Sequence, residues 1–263
     1  MKAGMKTLSP YQVASLRMLT AGIVLLPVAL RKVAAFNFKV HMQMLLSGIL
    51  GSFIPAFLFC IAETKIASSL ASFLNAFTPI LTIIFGIFFF GRPFEKKGWT
   101  GVIIGLVGMT VLFFGRSSAE NSYMGYSSLI IISTIFYSLN LNFVGKYLHH
   151  VGSVTIVSIA FLYLAIPSLI VLYATGYFQH SFADKGIWYS TGASTILGVF
   201  GTALGTIFYY KLLKESGALF ASLVTYGIPF VALAWGLLAG ESVTLVALTG
   251  LAIILLGVYL ANK

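Results

Sequence analysis

The sequence predicts an all-α membrane protein made of two inverted-topology helical repeats, and three observations carry that prediction. Of 263 residues, 59% are hydrophobic and 8% are charged, against about 25% charged in a soluble domain. Nine apolar stretches, near 10–30, 40–62, 68–90, 98–115, 125–147, 153–174, 188–211, 218–240 and 244–261, approach the roughly 20 residues a helix needs to cross about 30 Å of hydrocarbon. The chain also repeats itself at a shift of 150 residues, which brings Gly48 onto Gly198, Gly51 onto Gly201, Ala71 onto Ala221, Ser72 onto Ser222, Asn75 onto Thr225, Pro79 onto Pro229 and Gly86 onto Gly236. Strands of a membrane barrel number about 10 residues and alternate in polarity, which these stretches do not.

Five spans separate each element from its copy, and an odd number makes the copy enter the membrane from the opposite side, as in many secondary transporters. The reading is one transmembrane domain over 1–263, with a first repeat of four helices at about 1–116 and a second of five at about 125–263. Nine transmembrane helices are visible of an expected ten. Met1 to Lys6 reads as the tail of an opening helix, absent through truncation or in a natural short form.

The net charge of +10 raises nucleic acid as a partner, but the basic residues cluster at span ends rather than on a polar surface interleaved with aromatics. Alternate loops place ten of them on one side, among them Arg31, Lys32, Arg92, Lys96, Lys97 and Lys263, and five on the other, Lys2, Lys6, Lys65, Arg116 and Lys185. The richer side is assigned to the cytoplasm, which leaves the C-terminus inside. The loop from Arg92 to Lys97 is basic, whereas its copy from Ser242 to Val246 has no Lys or Arg, as opposed orientations require.

In the first span Arg17 lies inside the apolar stretch, where a cation costs roughly 2.5–3.5 kcal/mol on insertion scales. Snorkelling to the surface, a polar cavity or attraction to a substrate carboxylate would each explain it. The third span bears Ser68, Ser72, Asn75 and Pro79 on one helical face. The eighth repeats the pattern with Ser222, Thr225 and Pro229. A proline removes the bond to the carbonyl four residues earlier, here that of Asn75 and of Thr225, and in hydrocarbon such a carbonyl has to find another partner. Matching interruptions in two halves point to a transport site, and they make Pro79 and Pro229 candidate hinges.

Gly101, Gly105 and Gly108 form a flat face on the fourth span, and Gly250 and Gly257 are their counterparts on the last; close packing within the chain or a homodimer would use such faces. The fifth span carries Ser133, Tyr137 and Asn140, dense polarity for a membrane helix. On the seventh, Thr202, Thr206, Tyr209 and Tyr210 suit either substrate contact or an interfacial aromatic belt. All six acids and all four histidines fall at span ends or in loops, so no proton carrier is expected at the midplane, with Glu63 and Glu241 the nearest alternatives. Cys60 stands alone, and no metalloprotease, hydrolase or dinucleotide motif occurs.

The run LSPYQVASLR from Leu8 to Arg17, the helix ASFLNAFTPILTIIFG, the helix GVIIGLVGMTVLF and the closing GESVTLVALTGLAIILLGVYL resemble the drug/metabolite transporter superfamily, specifically its ten-helix EamA-type permeases. The resemblance implies two inverted five-helix halves and export of amino acids, metabolites or drugs. The chain departs from the family's paired Gly-Glu in having Gly91-Arg92 in the first copy beside Gly240-Glu241 in the second.

The sequence is thus expected to encode a multi-pass inner-membrane permease that exports small organic metabolites by alternating access. Its substrate-binding residues would be Asn75, Thr78, Tyr137, Asn140, Thr225, Tyr226 and Arg17. The bilayer and a small-molecule substrate are its expected partners, a homodimer is open, and no nucleic acid, cofactor, metal or catalytic residue is expected. A non-transporting truncated remnant, a structural or regulatory membrane protein and, more remotely, an intramembrane enzyme are the alternatives.

Overall fold

A computed structural model describes residues 1–92, 96–114, 124–181, 184–228, 230–231 and 245–261. Every regular element among them is helical. Ser9 opens α1 (Pro10–Lys32) with a capping box, its hydroxyl accepting from Gln12 N while the Gln12 side chain accepts from Ser9 N, so the first-turn donors are satisfied before the chain meets lipid. Asn37 caps α2 (Phe38–Gly48) in the same way through Val40 N. A π-helical turn at Ile49–Phe53 then joins α2 to α3 (Ile54–Ala62).

The span holding Pro79 is interrupted rather than bent. Helix α4 (Ser68–Asn75) stops, Ala76 and Phe77 turn, and α5 (Thr78–Phe90) starts with Pro79 in its first turn, where a missing N–H costs nothing. Gly91, at φ 64°, closes α5 in the left-handed region. Helices α6 (Lys96–Phe114), α7 (Met124–Tyr147) and α8 (Ser153–Ala174) follow. Asp184 caps α9 (Lys185–Ile196), a second π-helical stretch runs over Leu197–Leu204, and α10 (Gly205–Ser222) contains a break at Gly217, φ 83°. A 3-10 stretch at Leu223–Gly227 and α11 (Leu245–Ala261) complete the described chain.

Among the described residues six helices are long and apolar enough to cross a membrane, Pro10–Ala35, Phe38–Ala62, Leu70–Phe90, Met124–Tyr147, Ser153–Ala174 and Lys185–Gly227, fewer than the nine expected. The difference has a geometric origin. Lys185–Gly227 is 43 residues long and includes the Gly217 break, where the sequence expects a loop between two spans. The fourth and ninth expected spans are the shorter apolar helices Gly98–Val111 and Leu248–Ala261. Part of the eighth, Pro229 and 232–240 with Trp235, lies outside the described residues, as does Glu241 after it.

Large apolar side chains cover the outside: Phe88 and Tyr173 are each 78% exposed, and Ile23, Leu30, Ile170 and Phe208 also face outward. In water such a surface would drive association; in lipid it is the expected wall. Many buried hydroxyls are satisfied locally, with Thr82 donating to the Thr78 carbonyl, Ser133 to Leu129, Ser168 to Leu164 and Ser194 to Ser190, each four residues back along its own helix, while those of Ser15 and Ser158 have no partner.

Two packing contacts organise the bundle. Gln12 Nε2 donates to the Thr175 carbonyl at 3.0 Å, and Gly22 lies against Phe161 and Ala165, so α1 and α8 run antiparallel. Helices α6 and α11 do the same through glycine, Gly101 facing Gly257 and Ala261, and Gly108 facing Gly250 and Ile254. The glycine faces are therefore filled within the chain. Helices α5 and α7 run parallel, held by Ser138 Oγ on the Thr78 carbonyl at 3.0 Å and Asn142 Nδ2 on the Thr82 carbonyl at 2.9 Å.

Candidate functional site

A cavity of about 400 Å³ opens between the two halves of the chain, within the roughly 300–1,000 Å³ usual for small-molecule sites. The 150-residue shift relates much of its wall. Gly51 and Gly201, Ser52 and Thr202, and Ala56 and Thr206 are lining pairs from the two π-helical regions and the turns after them. Phe59 and Tyr209, Asn75 and Thr225, and Thr78 and Ile228 complete six pairs. Arg17 from α1 and Tyr137 and Asn140 from α7 line it too.

The π-helical turns help to make the space. An extra residue per turn widens the helix locally and recurs at functional sites. The first turn, Ile49–Phe53, falls under the shift on 199–203, inside the second, Leu197–Leu204. A Cβ on Gly51 would meet the Asn140 amide nitrogen and the Tyr210 hydroxyl, so only glycine lets α7 and α10 close on this turn. Across the second turn Thr202 Oγ1 donates to the Leu197 carbonyl at 3.2 Å, which leaves its oxygen to accept from Arg17 Nε at 3.3 Å.

At the proline interruption the released Asn75 carbonyl has a partner, the Thr78 hydroxyl at 2.6 Å. The corresponding Thr225 carbonyl accepts from Ile228 N–H. Each carbonyl thus has a partner within the chain, and side chains add further polarity to the cavity.

Asn140 is 2% exposed. Its Nδ2 donates to Tyr210 Oη at 2.9 Å, and that hydroxyl also lies 2.8 Å from Ser47 Oγ. Asn140 Oδ1 has no hydrogen-bond partner. Arg17 Nη1 points at Met1 Sδ at 3.1 Å, and among the described residues Arg17 joins no ion pair. Glu63, just past α3, is within reach of its field: burial pushes the Glu63 carboxyl up, while the N-terminal amine, Lys2 and Arg17 pull it down. No group of three metal-binding side chains occurs among the described residues.

The structure brings Arg17, Asn75, Thr78, Tyr137, Asn140 and Thr225 together around this space. It does not bring Tyr226, whose ring packs on Gly105 and whose hydroxyl donates to the Val102 carbonyl at 2.9 Å in the contact with α6. Nothing in its spacing distinguishes it from Thr225 beside it, but consecutive residues of a 3-10 turn point about 120° apart, and Thr225 takes the cavity. Pro79 is buried behind Thr78, and Pro229 lies outside the described residues. Ser52, Met18 and Phe59 line the wall without having been singled out. Ser52 and Phe59 were reachable by extending the 150-residue shift to Thr202 and Tyr209.

Among the described residues, a helical bundle with an apolar exterior and a cavity lined by polar side chains is the make-up of a polytopic membrane protein. The chain belongs to the EamA-like transporter family, whose profile matches residues 1–114 and 124–263. It is similar to an uncharacterized transporter of Archaeoglobus fulgidus, 27% identical over 266 residues that cover 100% of this chain and 92% of the relative. It is also similar to the uncharacterized transporter YdfC of Bacillus subtilis, 27% identical over 255 residues covering 95% and 80%. A solved crystal structure shares the fold with a TM-score of 0.75 at 16% identity, over 99% of this chain and 90% of that one.

Proposed function

We propose that this protein is an inner-membrane permease that exports a small organic metabolite by alternating access around the cavity, with its C-terminus in the cytoplasm. The observation that carries the reading is the paired wall: twelve lining residues form six pairs under one shift, so the site lies where the two copies meet. Transporters of inverted design bind at this place.

The inversion itself is supported by packing. The shift maps α6 onto α11 and carries most of α1 onto α8, and in both cases a helix packs antiparallel on its own copy. An axis lying in the membrane plane reverses a helix in this way, and an axis along the membrane normal would not. Rocking one copy against the other then opens the site to alternate sides. The hinge falls at the α4–α5 interruption, where Thr78 Oγ1 holds the Asn75 carbonyl and Pro79 has no N–H to give it.

The test is efflux from cells overproducing the chain, and from proteoliposomes once a solute is found. Wild type should release at least one metabolite several-fold faster than cells with an empty vector. Pro79→Ala restores an N–H that competes for the Asn75 carbonyl and fuses α4 to α5. One such bond is worth about 0.5–1.5 kcal/mol, so flux should fall by about two- to tenfold with unchanged expression. Efflux equal to the empty vector across the screen would contradict the permease, and full flux in Pro79→Ala would contradict the hinge.

A further inference from the structure

We infer that the cavity selects an organic solute carrying both a carboxylate and a hydrogen-bond donor, the first held by Arg17 and the second by Asn140 Oδ1. This rests on the permease reading of the same cavity and gives its substrate a chemical class.

Arg17 is the one charged side chain among the described cavity-lining residues. A guanidinium has five N–H donors, and here it meets a threonine hydroxyl at 3.3 Å and a thioether, a weak acceptor, at 3.1 Å. Neither neutralises it. A cation within a membrane-spanning helix, lining a cavity and joining no ion pair among the described residues, is matched by a carboxylate brought by a ligand, which a fork of donors binds in two-pronged fashion.

Asn140 supplies the second contact. Its amide nitrogen is committed to Tyr210, and its oxygen is buried, unpartnered and at the cavity wall. Buried acceptors are nearly always paired, so this one is set for a donor from the occupant. Asn142 Oδ1 is also unpartnered, but Asn142 does not line the cavity and its amide nitrogen ties α7 to α5. Met18, Phe59, Val224 and Ile228 set apolar surface among the hydroxyls of the wall, and 400 Å³ accommodates a benzyl group beside the two polar ends.

The test is calorimetric titration of the full chain in phosphatidylcholine nanodiscs with 3-phenyllactate, its amide and 3-phenylpropionate. The acid should bind at least about tenfold more tightly than its amide, and phenyllactate several-fold more tightly than phenylpropionate. Arg17→Gln should level acid and amide, with Arg17→Lys intermediate. Asn140→Leu should level lactate and propionate while keeping the preference for acid over amide. Where Arg17→Gln does not fold, the wild-type series decides. Equal affinity for acid and amide, absence of binding by all three, or a preserved acid preference in Arg17→Gln would overturn the inference. Including one third phosphatidylglycerol separates a soluble anion from a lipid headgroup: unchanged affinity is expected, and loss of binding would overturn it. Binding without flux in proteoliposomes would sink the permease and leave the inference standing; flux without acid preference would do the reverse.

Discussion

Gly257→Leu should yield no monodisperse protein after extraction into detergent. A Cβ at this position would meet the main-chain N of Gly105 and O of Gly101, with the Gly105 Cα at 2.7 Å. Those are backbone atoms of a facing helix, so no rotamer change relieves the contact and α6 and α11 would have to separate. In lipid, helix association rests on close packing rather than on hydrophobic burial, and separating this pair also uncovers Ile254, fully buried between them. Overpacking alone costs about 1–3 kcal/mol, and the lost contact adds to it, against a total stability of about 5–15 kcal/mol. Gly192→Ala is the control, because nothing lies within 4 Å of its Cβ; it should elute and melt like wild type. A Gly257→Leu protein with wild-type elution and melting would mean that α6 and α11 do not pack as described.

The second large effect is one of function without stability. Asn140→Leu should cut flux by at least about tenfold while leaving the melting temperature within a few degrees of wild type. Leucine keeps the branched outline and heavy-atom count of asparagine, and Tyr210 keeps Ser47 at 2.8 Å, so the hydroxyl does not become an orphan. The substitution also removes an unpartnered buried oxygen, which costs about 1–3 kcal/mol where it stands, offsetting the lost amide bond. On the proposed reading, Asn140 serves the occupant of the cavity rather than the fold. Flux would be measured in proteoliposomes and stability by thermal unfolding in the same detergent; a large drop in melting temperature with undiminished specific flux would assign Asn140 a structural role.

Much of this was legible in the sequence, for physical reasons that differ by element. Span positions follow from length and hydropathy, and the breaks at Pro79 and Gly217 follow from residues that cannot or need not continue a helix. The shift that pairs Asn75 with Thr225 also pairs Phe59 with Tyr209 and Ser52 with Thr202, because duplicated backbones place equivalent side chains equivalently. What stayed hidden depends on three-dimensional closeness. Tyr226 reads like Thr225 in a list of polar residues, yet one faces Gly105 and the other the cavity. The partner of the Asn75 carbonyl, Thr78 Oγ1, is fixed by a rotamer, and the π-helical turns leave no mark in apolar sequence beyond Gly51 and Gly201.

The central claim is that the two copies traverse the membrane in opposite senses. Cys60 is the single cysteine and is fully buried, so a Cys60→Ala background accepts one new thiol at a time. Lys96→Cys, at the start of α6, and Ser242→Cys, in the sequence segment that the shift pairs with the one before α6, would be probed in sealed cells with a membrane-impermeant maleimide. The account predicts that the thiol at 242 reacts from outside and the thiol at 96 reacts only after permeabilisation; labelling of both from the same face would contradict it.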